Sequence, residues 1–173
     1  MTWMQENNYV LPYINGKFYP LQKPERLFYL HNPCAPSDIL AVSGWTKDIT
    51  VQVTEGINAN LKKYRSTTLA ERMSLLEKFI QILKENAEEL KEKMMLELGR
   101  SRFSVEEEWQ LCLKFCEIVP HFCKENLKDH QETDGSQWIY VPVGKVLISP
   151  NISNPVYSLL TSTIPPLIAG NSV

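Results

Sequence analysis

The segment Val141 to Pro155, VPVGKVLISPNISNP, constrains the fold more than any other stretch. Val146, Leu147 and Ile148 form an apolar run too short for a helix, set between Gly144 and Pro150. Such a run suits a strand buried on both faces of an α/β sheet. It breaks into a loop of Pro150, Asn151, Ser153, Asn154 and Pro155. The spacing then predicts a helix over Pro155 to Ala169, despite Pro165 and Pro166, because a proline is tolerated in a first turn. Gly170-Asn171 ends that helix and Ser172-Val173 begins the next strand, which makes a βαβ unit cut at its second strand. The fold class expected is α/β.

Upstream, Tyr13-Ile14-Asn15-Gly16-Lys17-Phe18-Tyr19 predicts a β-hairpin, since Asn-Gly suits a type I′ turn. Asn32-Pro33 marks a turn and Asp38 to Ser43 a second short strand pair. Helices follow. Thr46 can cap one whose stripe is Ile49, Val53, Ile57, Leu61 and Tyr64. Thr68-Leu69-Ala70-Glu71 is a capping box ahead of Met73, Leu76, Ile80 and Leu83. Asn86 starts a further turn with Leu90, Met94 and Leu98 inside and Gly99 as terminator. A fourth helix is expected from about Ser104 to Cys123, with Ser104 to Glu107 as its capping box and Pro120 as a kink or stop. Trp138 to Val141 and Gly144 to Ser149 read as strands. No internal repeat or low-complexity segment occurs.

The chain of 173 residues suffices for a domain with a core, and 43% hydrophobic content argues against disorder. A net charge of −2 gives no pull toward nucleic acid or an anionic membrane. The start MTWMQENNYV lacks a secretory pattern, and Val156 to Ala169 is too polar to span a bilayer. Four cysteines without CxxC spacing then suggest reduced thiols in a cytoplasmic protein.

Cys112, Cys116 and Cys123 share a helix face near His121, but their spacing is not that of structural zinc. They read as small core hydrophobes, and no metal site is expected. Glu106, Glu107 and Glu108 read as water-facing residues that favour a helix dipole. Lys84 to Lys93 reads as a solvated face, Trp109 and Phe115 as packing residues, and His31 and His130 as surface residues. The loop Pro150 to Asn154 is the best site candidate. Open α/β sheets bind ligands beyond the carboxyl ends of their strands, and an Asn amide there can donate to a developing oxyanion. An ordinary strand-to-helix turn with an Asn cap is the competing reading. No GxGxxG follows the strand.

In order along the chain come INGKF (Ile14 to Phe18), NPCAPSDILAVS, Leu69-Ala70-Glu71-Arg72, Glu97-Leu98-Gly99-Arg100, Pro142 to Pro155, and Pro165 to Asn171. The ordered set, from about Tyr13 to Val173, resembles the N-terminal part of the aldehyde dehydrogenase superfamily. The resemblance implies an N-terminal hairpin and helical segment leading into the first βα unit of a Rossmann-like NAD(P)-binding domain. Residues 1–124 would hold the hairpin and helices, 125–141 an oligomerisation strand arm, and 142–173 the first strand and helix of the NAD(P) sheet. It also implies NAD or NADP as cofactor, an aldehyde as substrate and a homo-oligomer joined through 125–141. In that family a cysteine thiolate attacks the aldehyde, the thiohemiacetal gives hydride to nicotinamide, and a glutamate activates water. An asparagine at the end of the first nucleotide-domain strand helps hold the oxyanion. Ile148, Ser149, Pro150 and Asn151 would contact the cofactor.

The family's Pro-Trp-Asn-Phe-Pro stands here as Pro150-Asn151-Ile152-Ser153-Asn154-Pro155, one residue longer and without aromatics. Counting back from Gly170 selects Ser153 for the asparagine, while chemistry selects Asn154. Asn154-Pro155 also resembles the Thr-Asn-Pro of CoA-acylating members. Asn154 is favoured, with Ser153 and Asn151 as alternatives. The sequence stops before the family's Lys-Pro-Ser strand end and its catalytic Glu and Cys. The chain alone is therefore expected to be inactive and to expose an apolar sheet edge. A non-catalytic helical interaction module or a gene remnant is the alternative.

Overall fold

Helix boundaries fall where local capping chemistry puts them. The computed structural model describes residues 9–20 and 23–173. Residues 1–8, most of the start without a secretory pattern, lie outside the described residues. Helix α1 (Lys47–Arg65) starts at Thr46, whose hydroxyl accepts from Ile49 N, and α2 (Leu69–Glu85) starts at Thr68 with both halves of the capping box formed. Helix α3 (Ala87–Leu98) ends at Gly99, left-handed at φ 61°. Helix α4 (Arg102–Asn126) starts earlier than expected. Ser101, not Ser104, is its cap, accepting from Ser104 N. Pro120 does not end it, because Val119 and Cys123 are buried on either side and hold the helix in the core.

The first three strands are two residues each. β1 (Tyr9–Val10) runs parallel to β5 (Ala35–Trp45), which pairs antiparallel with β4 (Arg26–Asn32), in the order β1-β5-β4. The β4–β5 pair is longer than the expected Asp38–Ser43 strands. Arg26 to Leu30 lacks the alternation that would betray it, and the ladder shifts register near His31. Asn32 Oδ1 accepts from Cys34 N and closes the expected turn. β2 (Tyr13–Ile14) and β3 (Lys17–Phe18) form the Asn-Gly hairpin, with Asn15 at φ 51° and Gly16 at φ 76°. The hairpin lies against α1, where a Cβ on Gly56 would stand 2.5 Å from the Asn15 amide. Only a glycine leaves room for that approach.

The core joins α2, α4 and α5 (Pro155–Ile168). Met73, Leu76 and Leu83 meet Trp109, Cys112, Cys116, Val119 and Cys123, and Leu160, Ile164 and Ile168 complete the cluster. The expected cysteine face is thus core. Burial pushes the Cys112 thiol up to about 12, with the Glu108 charge adding to it. Among the described residues no group of three or more His, Cys, Asp or Glu side chains is placed to hold a metal ion. No described helix is long and apolar enough to cross a membrane.

Past α4, β6 (His130–Gln131) and β7 (Gln137–Trp138) form a small hairpin. The strands expected over Trp138 to Val141 and Gly144 to Ser149 are only partly formed. Trp138 belongs to β7, and Lys145 makes one parallel bridge to Ser172. That bridge is the return of the βαβ unit. The run Val146 to Ile148 is not buried on both faces, since Leu147 is 98% exposed. It has one paired edge, and no described residue covers its other side.

Candidate functional site

A loop at a strand end is useful only if its position is fixed, and this one is fixed from three directions. Gly144 N donates to Asn171 Oδ1 at 2.8 Å, Val146 N to Ser172 O at 2.8 Å and Ser172 N to Gly144 O at 2.8 Å. These bonds tie the strand to the chain leaving α5. Asn171 is buried and also donates from Nδ2 to Pro166 O. Arg72 and Tyr64 hold the same end of α5. Arg72 Nε donates to Ile168 O at 2.7 Å and Tyr64 Oη to Leu167 O at 2.9 Å, satisfying last-turn carbonyls.

The N-terminal end of α5 is held by α4. Glu108 was expected in water beside Glu106 and Glu107, but its side chain is fully buried. One carboxylate oxygen accepts from Val156 N at 2.9 Å and Tyr157 N at 3.0 Å, and the other pairs with Arg100. Arg100 also donates to Ser104 and to Ser153 O, the latter at 3.1 Å. Glu108 lies on the face of Val105, Trp109 and Cys112, at the i, i+4 spacing from Cys112 and i, i+3 from Val105. That periodicity was the sequence signal for it. Lys91, read as part of a solvated face, is likewise buried and paired with Glu88 and Glu106.

The first turn of α5 therefore has no free donors for an anion. Pro155 has no N–H, and Val156 and Tyr157 already bind a carboxylate. The Val156 and Tyr157 amides are therefore not available to a dinucleotide pyrophosphate. What the loop offers is its strand end and its polar side chains. Ile148 is half-buried, and Ser149, Pro150, Asn151, Ser153 and Asn154 are exposed. Asn151 Oδ1 accepts from Ser153 N at 2.9 Å, and Asn151 N donates to Ser158 Oγ. Ser153 commits its carbonyl to Arg100. Asn154 takes the N-cap position, but its side chain caps nothing. It lines a cleft of about 450 Å³ with Arg100, Ser104, Glu107 and Glu108.

A family model described as the aldehyde dehydrogenase family matches residues 20–173. The fold is similar to proline utilization A from Bdellovibrio bacteriovorus, at TM-score 0.83 and 20% identity over 94% of this chain and 17% of that one. It is similar to an NAD-dependent benzaldehyde dehydrogenase from Corynebacterium glutamicum, at TM-score 0.77 and 21% identity over 92% and 35%. It is also similar to 1-pyrroline-5-carboxylate dehydrogenase from Thermus with bound NAD, at TM-score 0.80 and 18% identity over 95% and 32%. The chain spans about a third or less of the length of these proteins. A search of curated proteins returned no match. The match over nearly all of its length places this chain in the aldehyde dehydrogenase family.

Proposed function

We propose that this chain is the N-terminal part of an NAD(P)-dependent aldehyde dehydrogenase and that its 148–154 loop serves the active site. The observation that carries the reading is the parallel Lys145–Ser172 bridge, which puts the loop at the carboxyl end of the first strand of a βαβ unit. In this reading Ile148, Ser149, Pro150 and Asn151 line one side of the cofactor. The filled helix end fits a dinucleotide that lies along the strand end and carries its phosphates elsewhere. When bound, the cofactor accepts the hydride. The cysteine nucleophile and the water-activating glutamate lie outside this chain.

Asn154 is the oxyanion donor in this reading, with Ser153 and Asn151 as the competing positions. Two local commitments support the choice. Asn151 turns its side-chain oxygen back onto Ser153 N, and Ser153 is anchored through its carbonyl. The Asn154 side chain makes no capping bond and is not held against the start of α5. The enzyme would take an aldehyde, and the exposed Trp138, Ile139, Tyr140 and Val141 would be covered in a homo-oligomer joined through 125–141.

The experiment is steady-state turnover of the full-length enzyme with NAD or NADP and a panel of aliphatic and aromatic aldehydes. Asn154→Ala should lower kcat by roughly 100-fold, as for loss of one oxyanion donor. Near-normal turnover, with Ser153→Ala damaging instead, moves the role by one residue. Wild-type turnover in both variants refutes the loop's role.

A further inference from the structure

We infer that Glu108 and Arg100 are positioning residues that clamp the loop on either side of Asn154 and so aim its amide. The inference rests on the oxyanion reading proposed above. Arg100 holds Ser153 O, the carbonyl immediately before Asn154. Glu108 holds Val156 N and Tyr157 N, the first amides after Pro155. The two clamps are joined to each other by the Arg100–Glu108 ion pair. Backbone on both sides of one exposed side chain is therefore fixed to one ion pair, of Arg100 just before α4 and Glu108 on it.

The geometry has a purpose that packing alone does not require. A buried carboxylate is expensive unless it is paired and fully hydrogen-bonded. An apolar residue at 108 would extend the face of Val105, Trp109 and Cys112 and spare the buried charge, but would leave Arg100, Val156 N and Tyr157 N without this partner. The carboxylate instead reaches out of the core to the start of α5, where the helix dipole also favours it. Asn154 has an extended φ of −137° and no side-chain capping bond of its own, so its direction depends on its neighbours. A hydrogen-bond donor must sit where the oxyanion forms, and a displacement of about 1 Å can cost about 100-fold in rate.

The test is a set of variants in the full-length enzyme, read as kcat, KM for NAD and melting temperature. Glu108→Gln keeps an acceptor for both amides but drops the charge that fixes Arg100. It should lower kcat by about 10-fold and leave KM for NAD within about 2-fold. Arg100→Met should fall similarly, and Arg100→Lys should recover most of the rate. Combined with Asn154→Ala, Glu108→Gln should add little further loss, because both act through one amide. Multiplied losses in the double variant overturn the inference, as does a lowered melting temperature with unchanged kcat. If Asn154→Ala is damaging and Glu108→Gln is silent, the inference alone fails. If Asn154→Ala is silent, the oxyanion reading fails and takes the aiming role with it.

Discussion

Replacing Glu108 by Ala should be among the most destabilising single changes in this chain. The side chain is fully buried, and its removal deprives three donors at once: Arg100, Val156 N and Tyr157 N. Breaking a buried pair from one side typically costs about 3–5 kcal/mol, because the remaining charge stays desolvated. Arg100 is 17% exposed and keeps Ser104 and Ser153 as partners, which moderates that figure. Each stranded amide adds about 1–3 kcal/mol, with the low end applying because Val156 and Tyr157 are half-buried and can recover water. The expected total is about 4 kcal/mol. With a urea slope of about 2 kcal/mol/M, the midpoint should drop by about 2 M. The assay is urea unfolding followed by circular dichroism at 222 nm. Glu107→Ala is the control one residue away, and it leaves the midpoint within error, because the Glu107 side chain is exposed to water. A Glu108→Ala midpoint within 0.5 M of wild type (about 1 kcal/mol) refutes the reasoning, and so does equal damage from both variants.

Three further outcomes follow from burial and backbone geometry. Of the four thiols only Cys34 is exposed, so the native protein should react with a thiol reagent at one site and release three more on unfolding. Burial raises the pKa values of Cys112, Cys116 and Cys123. The folded state therefore keeps protons that the unfolded chain loses. Stability from these thiols is complete below their ordinary value of 9.0 and falls as pH climbs toward about 12. Cys112→Ala should flatten that alkaline decline, and an unchanged slope counts against it. Gly135 and Gly170 adopt nearly the same backbone, φ 86° and φ 89°, but differ in surroundings. A Cβ at Gly135 meets nothing within 4 Å, whereas at Gly170 it stands 2.9 Å from Pro142 Cγ. Gly170→Ala should cost about 1–3 kcal/mol more than Gly135→Ala in the same urea assay. Equal losses remove the role assigned to the Gly170 contact.

The parts of this fold that can be read from sequence are those settled within a few residues. Thr68 and Glu71 bond each other, Asn15-Gly16 turns a hairpin by its own φ preferences, and Gly99 stops a helix the same way. Ser101 and Ser104 show where that runs out. Both can cap a helix start, and the choice depends on Arg100 reaching Ser104 and Glu108, a matter of packing between turns. The strand at Val146 shows a second limit. Its apolar residues announce burial, but burial needs partners on both sides, and here pairing is reduced to Lys145 and Ser172.

The site has the same split between local and distant causes. Three consecutive glutamates look alike by composition, and only the phase of the helix separates Glu108 from its neighbours. Phase places Glu108 on the apolar face, but not what it touches there, because Val156 lies 48 residues away. In the proposed reading, the choice among Asn151, Ser153 and Asn154 turns on contacts of this kind. Two of these residues are held by contacts of different reach: a local turn in which Asn151 Oδ1 accepts from Ser153 N, and the Ser153 carbonyl taken by Arg100, distant in the chain. What distinguishes Asn154 is that its neighbours are fixed and its side chain makes no bond to the start of α5. An extra residue in the loop can be accommodated on these terms, since the clamp acts on backbone at Ser153 and Val156 and is indifferent to the side chains between Pro150 and Ile152.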